Sequence, residues 1–316
     1  MLDEAHDELR LGDQVASPRS IEDAAIDWKN VARTTVLINQ TFRYEYPGPI
    51  AALRQRLMVV PPDYHHDQQL VRHRLRVTGS NPDTERSRDA FGNVVLDLTL
   101  QRVEREVEFT TWIVVEREAG AGEAQSAPLA PDVRFTQPSR LTRPDAALTS
   151  VATELRSTGA TGLELADLVS TRVHDHLRYE WGVTSVATTA AEAWAGGVGV
   201  CQDYAHCTLA LARLCGLSAR YVSGHLLGEG GTHAWVEILV PHPEHAGYLA
   251  AVPFDPTHDR RAGLRYVTVA TGRDYADVAP TSGTYKGAAK GVLTTRKRAT
   301  VTDVEYLGPR RTSPPA

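Results

Sequence analysis

Alternating hydrophobic and polar residues mark the first part of the chain, after a polar and acidic start. Five stretches alternate with a period of two, namely TTVLINQTFRYEY, ALRQRLMVV, LVRHRLRVTG, NVVLDLTLQRV and VEFTTWIVVER. That period is typical of β-strands with one buried face. Pro47, Gly48 and Pro49 separate the first two stretches, and residues 89–93 form a predicted turn before the fourth. Five closely spaced strands predict an antiparallel β-sandwich or a small barrel.

The pattern becomes helical beyond residues 119–132, a segment rich in Ala, Gly and Pro. Thr161 and Glu164 have the spacing of a capping box, which predicts a helix start. The helix that follows has apolar residues at helical spacing, at Leu165, Leu168, Val169, Val173 and Leu177. A second box, Thr189 with Glu192, predicts a shorter helix that Gly196 and Gly197 should end.

A third helix is predicted from Cys201 to Gly216. Its apolar face comprises Tyr204, Cys207, Thr208, Leu211, Leu214 and Cys215. Strand-like stretches follow at SARYVSGHLL, THAWVEILV and YLAAVPF. The predicted fold class is therefore α+β, with an N-terminal antiparallel β-sandwich-like domain followed by helices packed on a second antiparallel sheet.

These changes of pattern divide the chain. Residues 1–30 are predicted to form an acidic, flexible tail, and residues 31–118 the β-rich domain. Residues 119–138 form the predicted linker, and residues 139–305 the second domain, which carries the candidate chemistry. The predicted C-terminal tail spans residues 306–316.

Composition limits the classes of function. The 316 residues include 34 Lys and Arg against 39 Asp and Glu, a formal net charge of -5. This mild balance argues against a nucleic-acid or membrane-surface binder, which needs a strongly basic face. We expect neither a secretory signal nor a membrane span, because the sequence has neither pattern. Three cysteines are too few for a disulfide framework, so we expect free thiols and a cytoplasmic location.

Cys201 has the sequence context of a nucleophile. It lies in the first turn of the predicted third helix, directly after a glycine-rich segment at residues 196–199. The unpaired N–H groups and partial positive charge of a helix N-terminus favour the thiolate form of cysteine. The same N–H groups are suited to a developing oxyanion, and the glycines would let a substrate carbonyl approach the backbone.

His233 and Asp255 follow on two predicted strands. Strand alternation places His233 on one face with Trp235 and Glu237, so it could serve the thiol as a base or imidazolium partner. Asp255 ends the next strand, and antiparallel pairing would bring it beside His233. There it could accept the second ring N–H and fix the tautomer. The three residues together predict a Cys–His–Asp acyl-transfer site.

Each of these residues also has a plainer interpretation. A single cysteine at a helix start is more often structural. A single histidine in a strand is more often a surface or core residue with satisfied hydrogen bonds, and Asp-Pro is usually a turn. Cys207 and Cys215 lie on an apolar face and are predicted only to pack. Five further histidines do not have zinc-site spacing with the cysteines, so no metal site is expected: His206, His225, His242, His245 and His258.

At these positions the chain resembles the transglutaminase-like superfamily of papain-fold enzymes. The resemblance is carried by GVCQDYAH at 199–206, HAWVE at 233–237 and FDPT at 254–257. Residues 43–47, 57–61 and 89–93 are similar to the bacterial and archaeal members with a preceding β-rich domain. The resemblance implies a papain-like transglutaminase core and a catalytic triad of Cys201, His233 and Asp255. It implies no calcium requirement, because the additional domains of the calcium-dependent animal enzymes are absent from this sequence.

The predicted reaction is attack of Cys201 on an amide or peptide bond, through a thioester. We expect a peptide or protein substrate and no cofactor, and we slightly favour water as the acceptor, as in a protease or deamidase. Transfer to an amine, as by a protein-glutamine amine transferase, stays open. So does a catalytically inactive binding or scaffold protein with the same fold, or a metal-dependent hydrolase. The natural substrate, the role of the first domain and the oligomeric state are left undecided by the sequence.

Overall fold

The architecture comes from a computed structural model of the 316-residue chain. It describes residues 20–78, 82–120, 132–242, 246–288 and 290–308, and the backbone of 127–128. Residues 1–19 and 309–316, within the two predicted tails, lie outside the described residues. So do residues 121–126 and 129–131 of the predicted linker.

The first part of the chain forms two antiparallel sheets. Its strands are β1 (Val31–Glu45), β2 (Ile50–Leu57), β3 (Tyr64–His65), β4 (Gln68–Thr78), β5 (Asp83–Arg88), β6 (Val94–Val103) and β7 (Glu106–Glu118). The last two strands of the described chain, β16 (Thr281–Lys286) and β17 (Val292–Tyr306), join them. One sheet has the order β17-β1-β7-β4-β3 and the other β16-β2-β6-β5. The predicted β-sandwich is confirmed.

The sandwich core follows from the alternation of its strands. Phe42, Leu53, Leu98 and Phe109 point inward and are almost completely buried. The five predicted stretches correspond to β1, β2, β4, β6 and β7. Strand β5 was not predicted, because all six of its residues are exposed and DTERSR has no apolar alternation.

The second part combines helices with a third sheet. The helices are α1 (Ala146–Ser157), α2 (Gly162–His176), α3 (Ala190–Gly196) and α4 (Cys201–Leu214). The strands are β8 (Ala127–Pro128), β9 (Arg178–Tyr179), β10 (Val198–Gly199), β11 (Ser218–Leu226), β12 (Thr232–Pro241), β13 (Tyr248–Asp255), β14 (Arg260–Arg261) and β15 (Tyr266–Gly272). The antiparallel sheet has the order β14-β13-β12-β11-β15, and β8 also pairs with β13. The predicted α+β class is confirmed.

Helix α4 lies at the centre of this second part. All its residues from 202 to 213 are buried, and it packs on β11 and β12. Its one buried guanidinium, Arg213, is satisfied by oxygens of four other segments. It donates to Phe135 O, Thr142 Oγ1, Ala219 O and Arg273 O at 3.2, 2.7, 2.9 and 2.8 Å. The helix is therefore fixed by packing on its sides and by hydrogen bonds near its C-terminal end.

The helix ends match the sequence predictions in part. The Thr189–Glu192 capping box forms, and Gly197 ends α3 with a left-handed φ of 64°. Thr161 begins α2 as predicted, but its side chain makes no capping hydrogen bond, so that capping box is wrong. Leu168 is 36% exposed rather than part of the buried face. Helix α1, capped by Asp145 through the Leu148 N–H, was not predicted.

Two carboxamide side chains of the sandwich bind the edge of the third sheet. Gln68 donates to Thr268 O and accepts from Thr268 N, each at 2.8 Å. Asn93 donates to Thr271 O at 2.7 Å and accepts from Thr271 N at 2.8 Å. Both partners belong to the edge strand β15, whose outward backbone groups would otherwise have no strand to pair with. The two sheet systems are thus joined by backbone-like hydrogen bonds.

The end of the described chain returns to the sandwich. Strand β17 pairs with β1, and β16 pairs with β2. By hydrogen bonding, residues 281–306 belong with the first domain, whereas the sequence division placed residues up to 305 with the second. That boundary followed from sequence order alone, because the sequence of a strand does not indicate which other strand it pairs with. No helix among the described residues has the length and apolar character needed to cross a membrane.

Candidate active site

Cys201 is the first residue of α4 and is half-buried. The preceding residue, Val200, is extended, and its N–H donates to Asp203 Oδ2 at 2.8 Å. The Thr184 hydroxyl donates to the same oxygen at 2.7 Å. The Asp203 carboxylate therefore holds the chain where the helix begins, and this fixes the position of the thiol.

The glycine before this turn serves packing. A Cβ at Gly199 would lie 2.6 Å from the Cβ of Asp203, closer than any side chain tolerates. The cavity wall beside the thiol is formed by Val200, Cys201 and Gln202, and none of the glycines 196–199 belongs to it. The expectation that these glycines admit a substrate carbonyl is not supported by the described cavity wall.

His233 lies near the start of β12, and Asp255 ends β13. These strands pair antiparallel, with Val236 opposite Phe254, so the two side chains fall on one face. His233 Nε2 is 2.8 Å from Asp255 Oδ2, and His233 also hydrogen-bonds the Cys201 side chain. Both His233 and Asp255 are buried. The structure thus brings together all three residues singled out in the sequence.

The charges of this trio stabilise one another. Burial alone would lower the pKa of His233, but hydrogen bonds to Asp255 and Cys201 outweigh it and raise that pKa to about 10. Burial would raise the pKa of Asp255, yet the hydrogen bonds from His233 and His258 hold it well below its usual range. An imidazolium facing the thiol favours the nucleophilic thiolate.

Three further residues complete the surroundings of Asp255, and sequence reasoning assigned none of them to this site. Tyr266 donates its hydroxyl to Asp255 Oδ2 at 2.6 Å, and His258 Nδ1 lies 2.8 Å from the same oxygen. The other ring nitrogen of His258 is 2.8 Å from a carboxylate oxygen of Glu229, in the turn between β11 and β12. The position of His258, three residues after Asp255, was the one sequence signal that could have linked it to this site.

A cavity of about 760 Å³ opens beside the thiol. Cys201 and His233 form part of its wall, and the aromatic rings of Tyr179 and Trp181 stand at its rim, Trp181 being 82% exposed. Strand β17 of the sandwich contributes Lys297, whose pKa is lowered by burial to about 8. The cleft therefore lies between the two parts of the chain and is open to solvent.

The other candidate residues are separate from this cleft chemistry. Burial raises the pKa values of the Cys207 and Cys215 thiols, which fits their predicted packing role. Burial lowers the pKa values of His206 and His225 to about 4, and His206 Nε2 accepts a hydrogen bond from the Tyr275 N–H. Of the histidines considered as metal ligands, His245 lies outside the described residues.

Two groups of side chains in the described part of the chain have metal-compatible geometry. One consists of His233, Asp255 and His258, and belongs to the candidate active site. The other consists of His65, His66 and Glu237 and lies away from the thiol, where the sandwich meets β12. The sequence did not predict the second group, because His66 and Glu237 are far apart along the chain.

Comparison with known families points to both parts of the chain. Residues 149–255 match the profile of the transglutaminase-like superfamily core, and residues 36–116 match that of the bacterial transglutaminase-like N-terminal region. The first match contains Cys201, His233 and Asp255.

Known proteins similar to this chain extend the comparison. Uncharacterized proteins of Mycobacterium tuberculosis and Mycobacterium bovis are each 30% identical over 270 residues, covering 75% of this chain and 81% of theirs. A crystal structure of a candidate cysteine protease from Cytophaga hutchinsonii superposes with a TM-score of 0.69 at 22% identity. It covers 89% of this chain and 96% of its own. At that identity the structural likeness concerns the fold.

Proposed function

This chain belongs to the transglutaminase-like superfamily, and from that premise we propose that it is a cysteine-dependent hydrolase of amide or peptide bonds. The observation that carries the proposal is the hydrogen-bonded series Cys201–His233–Asp255 in the wall of an open cavity. A cysteine with a purely structural role does not need a neighbouring histidine whose pKa is raised. A cleft that only binds does not need a carboxylate hydrogen-bonded to that histidine. This arrangement supports the assignment of Cys201 as a nucleophile and of His233 as a base oriented by Asp255.

The reaction would proceed in two halves. The Cys201 thiolate attacks the substrate carbonyl carbon, and backbone N–H groups at the start of α4, that of Cys201 among them, stabilise the oxyanion. The C–N bond breaks as the His233 imidazolium gives its proton to the leaving amine, which leaves a thioester. Neutral His233 then takes a proton from water as the water oxygen attacks the thioester. The thiolate leaves, and a carboxylic acid is released.

Water is favoured as the acceptor by the shape of the cleft. A thioester meant for an amine must be protected from hydrolysis, and enzymes protect reactive intermediates by closing the site. Here the cavity is open, Cys201 is only half-buried, and Trp181 at the rim is largely exposed. Water therefore has access to the thioester, which supports hydrolysis over cross-linking.

A direct comparison of acceptors tests this proposal. The purified chain is incubated with a mixture of casein peptides, with and without a fluorescent primary amine, and new termini, ammonia and amine incorporation are quantified. We expect new carboxylates, little incorporated amine, and no product from Cys201→Ala or His233→Ala. Cys215→Ala serves as the matched control and should keep the activity.

The other results separate the alternatives. Incorporation of the amine in preference to hydrolysis would make the protein a protein-glutamine amine transferase. Equal turnover by the parent protein and both variants would contradict the enzyme assignment and leave a binding or scaffold role. Loss of turnover after removal of metal by a chelator would instead favour a metal-dependent hydrolase.

A further inference from the structure

Two adjacent histidines of the sandwich converge on one buried carboxylate of the third sheet. His65 Nε2 is 2.8 Å and His66 Nε2 is 3.2 Å from the same oxygen, Oε1 of Glu237. His65 ends β3, and Glu237 lies in β12, four residues beyond His233. The cluster therefore spans the junction between the sandwich and the strand that carries the candidate catalytic histidine.

The tight turn after β3 allows this convergence. Adjacent residues of a strand point to opposite faces, so two neighbouring imidazoles do not ordinarily reach one atom. His66 breaks the alternation with a left-handed φ of 52° and brings its ring to within 4.3 Å of the ring of His65, measured between centroids. His66 is the first residue of the two-residue turn between β3 and β4, a position at which hairpin turns take a positive φ.

The spacing of the three ligand atoms suits a small divalent cation. An ion with nitrogen and oxygen ligands at about 2.0–2.1 Å in tetrahedral geometry holds neighbouring ligand atoms about 3.3 Å apart. The two N–O distances here are 2.8 and 3.2 Å, and all three ligand atoms lie within 4.8 Å of one another. Both N–O distances are thus close to the spacing that such an ion imposes.

The remaining surroundings also fit a metal centre. Arg220, opposite Glu237 in the β11–β12 pair, binds the second carboxylate oxygen at 2.6 Å. It thereby orients the carboxylate and leaves Oε1 facing the histidines. Residues that hydrogen-bond to metal ligands have this orienting role in metal sites. A cavity of about 440 Å³ adjoins the cluster and offers room for a water as a fourth ligand.

We propose that His65, His66 and Glu237 form a binding site for one zinc-class divalent cation, which links the sandwich to β12. Each imidazole would present its Nε2 lone pair to the ion and carry its proton on Nδ1. The cluster lines a different cavity from the one beside the thiol, so the ion would touch no substrate there. This proposal does not depend on the reaction proposed for Cys201.

Calorimetric titration of the metal-stripped full chain with Zn²⁺ tests the site. The background variant Cys201→Ser removes the thiol of the cleft as a competing ligand. We expect one bound ion per chain, a rise in the unfolding temperature on adding Zn²⁺, and at least about a 10-fold loss of affinity in His65→Gln and in His66→Gln. His73→Gln, on β4 and outside the cluster, is the matched control and should bind as the background does.

Further variants keep the test decisive. If His65→Gln fails to fold by circular dichroism, His66→Gln, in the turn after β3, carries the test. Binding that survives both substitutions but is lost in His258→Gln would place the ion at the other cluster and overturn the proposal. An absence of Zn²⁺ binding by the background protein would overturn it as well, leaving the histidines as hydrogen-bond donors to Glu237.

Discussion

At the scale of single residues, Cys201 differs from the other two cysteines in its neighbours. Burial among apolar groups raises the pKa values of Cys207 and Cys215 and keeps them protonated. Cys201 instead has a hydrogen bond to His233, whose charged form is stabilised by Asp255. The sequence predicted a chemical difference among the three thiols because helix position and strand alternation are local patterns. Tyr266 and Glu229 were missed because their contacts depend on the tertiary fold.

Replacement of Asp255 by Asn should shift the pH dependence of activity. The carboxylate helps to raise the pKa of His233 to about 10, and the imidazolium needed to protonate the leaving amine exists only below that pKa. In Asp255→Asn the pKa of His233 falls. The loss of activity at alkaline pH should therefore begin at a lower pH than in the parent protein. Turnover at neutral pH should fall by about 10²–10⁴-fold.

A pH–rate profile of both proteins measures this shift. Asp259→Asn is the control, because Asp259 is exposed and accepts its hydrogen bond from Thr171 rather than from the candidate triad. An alkaline limb at the same pH in Asp255→Asn and the parent protein would show that Asp255 does not set the charge of His233.

At the scale of elements, the start of α4 depends on close packing of β10 against the helix. Gly199→Ala would place a Cβ 2.6 Å from that of Asp203 and push this carboxylate from the Val200 N–H. We expect a loss of about 1–3 kcal/mol in the free energy of unfolding and slower alkylation of Cys201. Urea denaturation and labelling kinetics measure both effects. Gly48→Ala, which meets no atom within 4 Å, should change neither.

The edge of β15 gives a second element-scale prediction. Asn93→Ala removes the amide that hydrogen-bonds to both the N–H and the C=O of buried Thr271. An unsatisfied buried polar group costs about 1–3 kcal/mol, so the variant should unfold at a clearly lower denaturant concentration. Asn30→Ala at an exposed position is the control. Equal stability of both variants would mean that water replaces the Asn93 amide.

Sequence patterns predicted elements where burial follows a simple period. Strands β1 and β6 alternate, and α4 and α2 have apolar residues at helical spacing, so their location and type were deduced. Strand β5 is exposed on both faces and therefore has no hydrophobic signal. The hydrogen bonds of Gln68 and Asn93 to β15 could not be predicted either. The identity of a polar residue in a strand or turn does not indicate which distant residue it contacts.

At the scale of the whole molecule, the chain crosses between its two parts more than once. The strands at residues 281–306 return to the sandwich. One of them, β17, places Lys297 in the wall of the cleft beside the thiol. Lys297 Nζ lies 3.5 Å from the Thr232 hydroxyl and 5.4 Å from the centre of the Phe42 ring. The sandwich thus contributes to the wall of the cavity beside the thiol.

Lys297 should favour substrates with a carboxylate near the scissile bond. A charge-assisted hydrogen bond contributes about 1.5–3 kcal/mol, so Lys297→Met should raise KM for acidic peptides about 10-fold or more while kcat changes little. Because burial lowers the Lys297 pKa to about 8, the preference should weaken as pH rises above 8. Lys286→Met, at an exposed position of β16, is the control. Equal KM values for acidic and neutral peptides in the parent protein would contradict this prediction.

The rate of alkylation of each cysteine by iodoacetamide, followed by mass spectrometry across pH, tests the central claim most directly. The account predicts that Cys201 reacts rapidly at neutral pH, and that His233→Ala slows it towards the rate of an ordinary thiol, with a pKa of about 8.5. Cys207 and Cys215 provide slow references within the same chain. A Cys201 rate no greater than that of Cys215 at neutral pH, or one unchanged by His233→Ala, would contradict the assignment of Cys201 as an activated nucleophile.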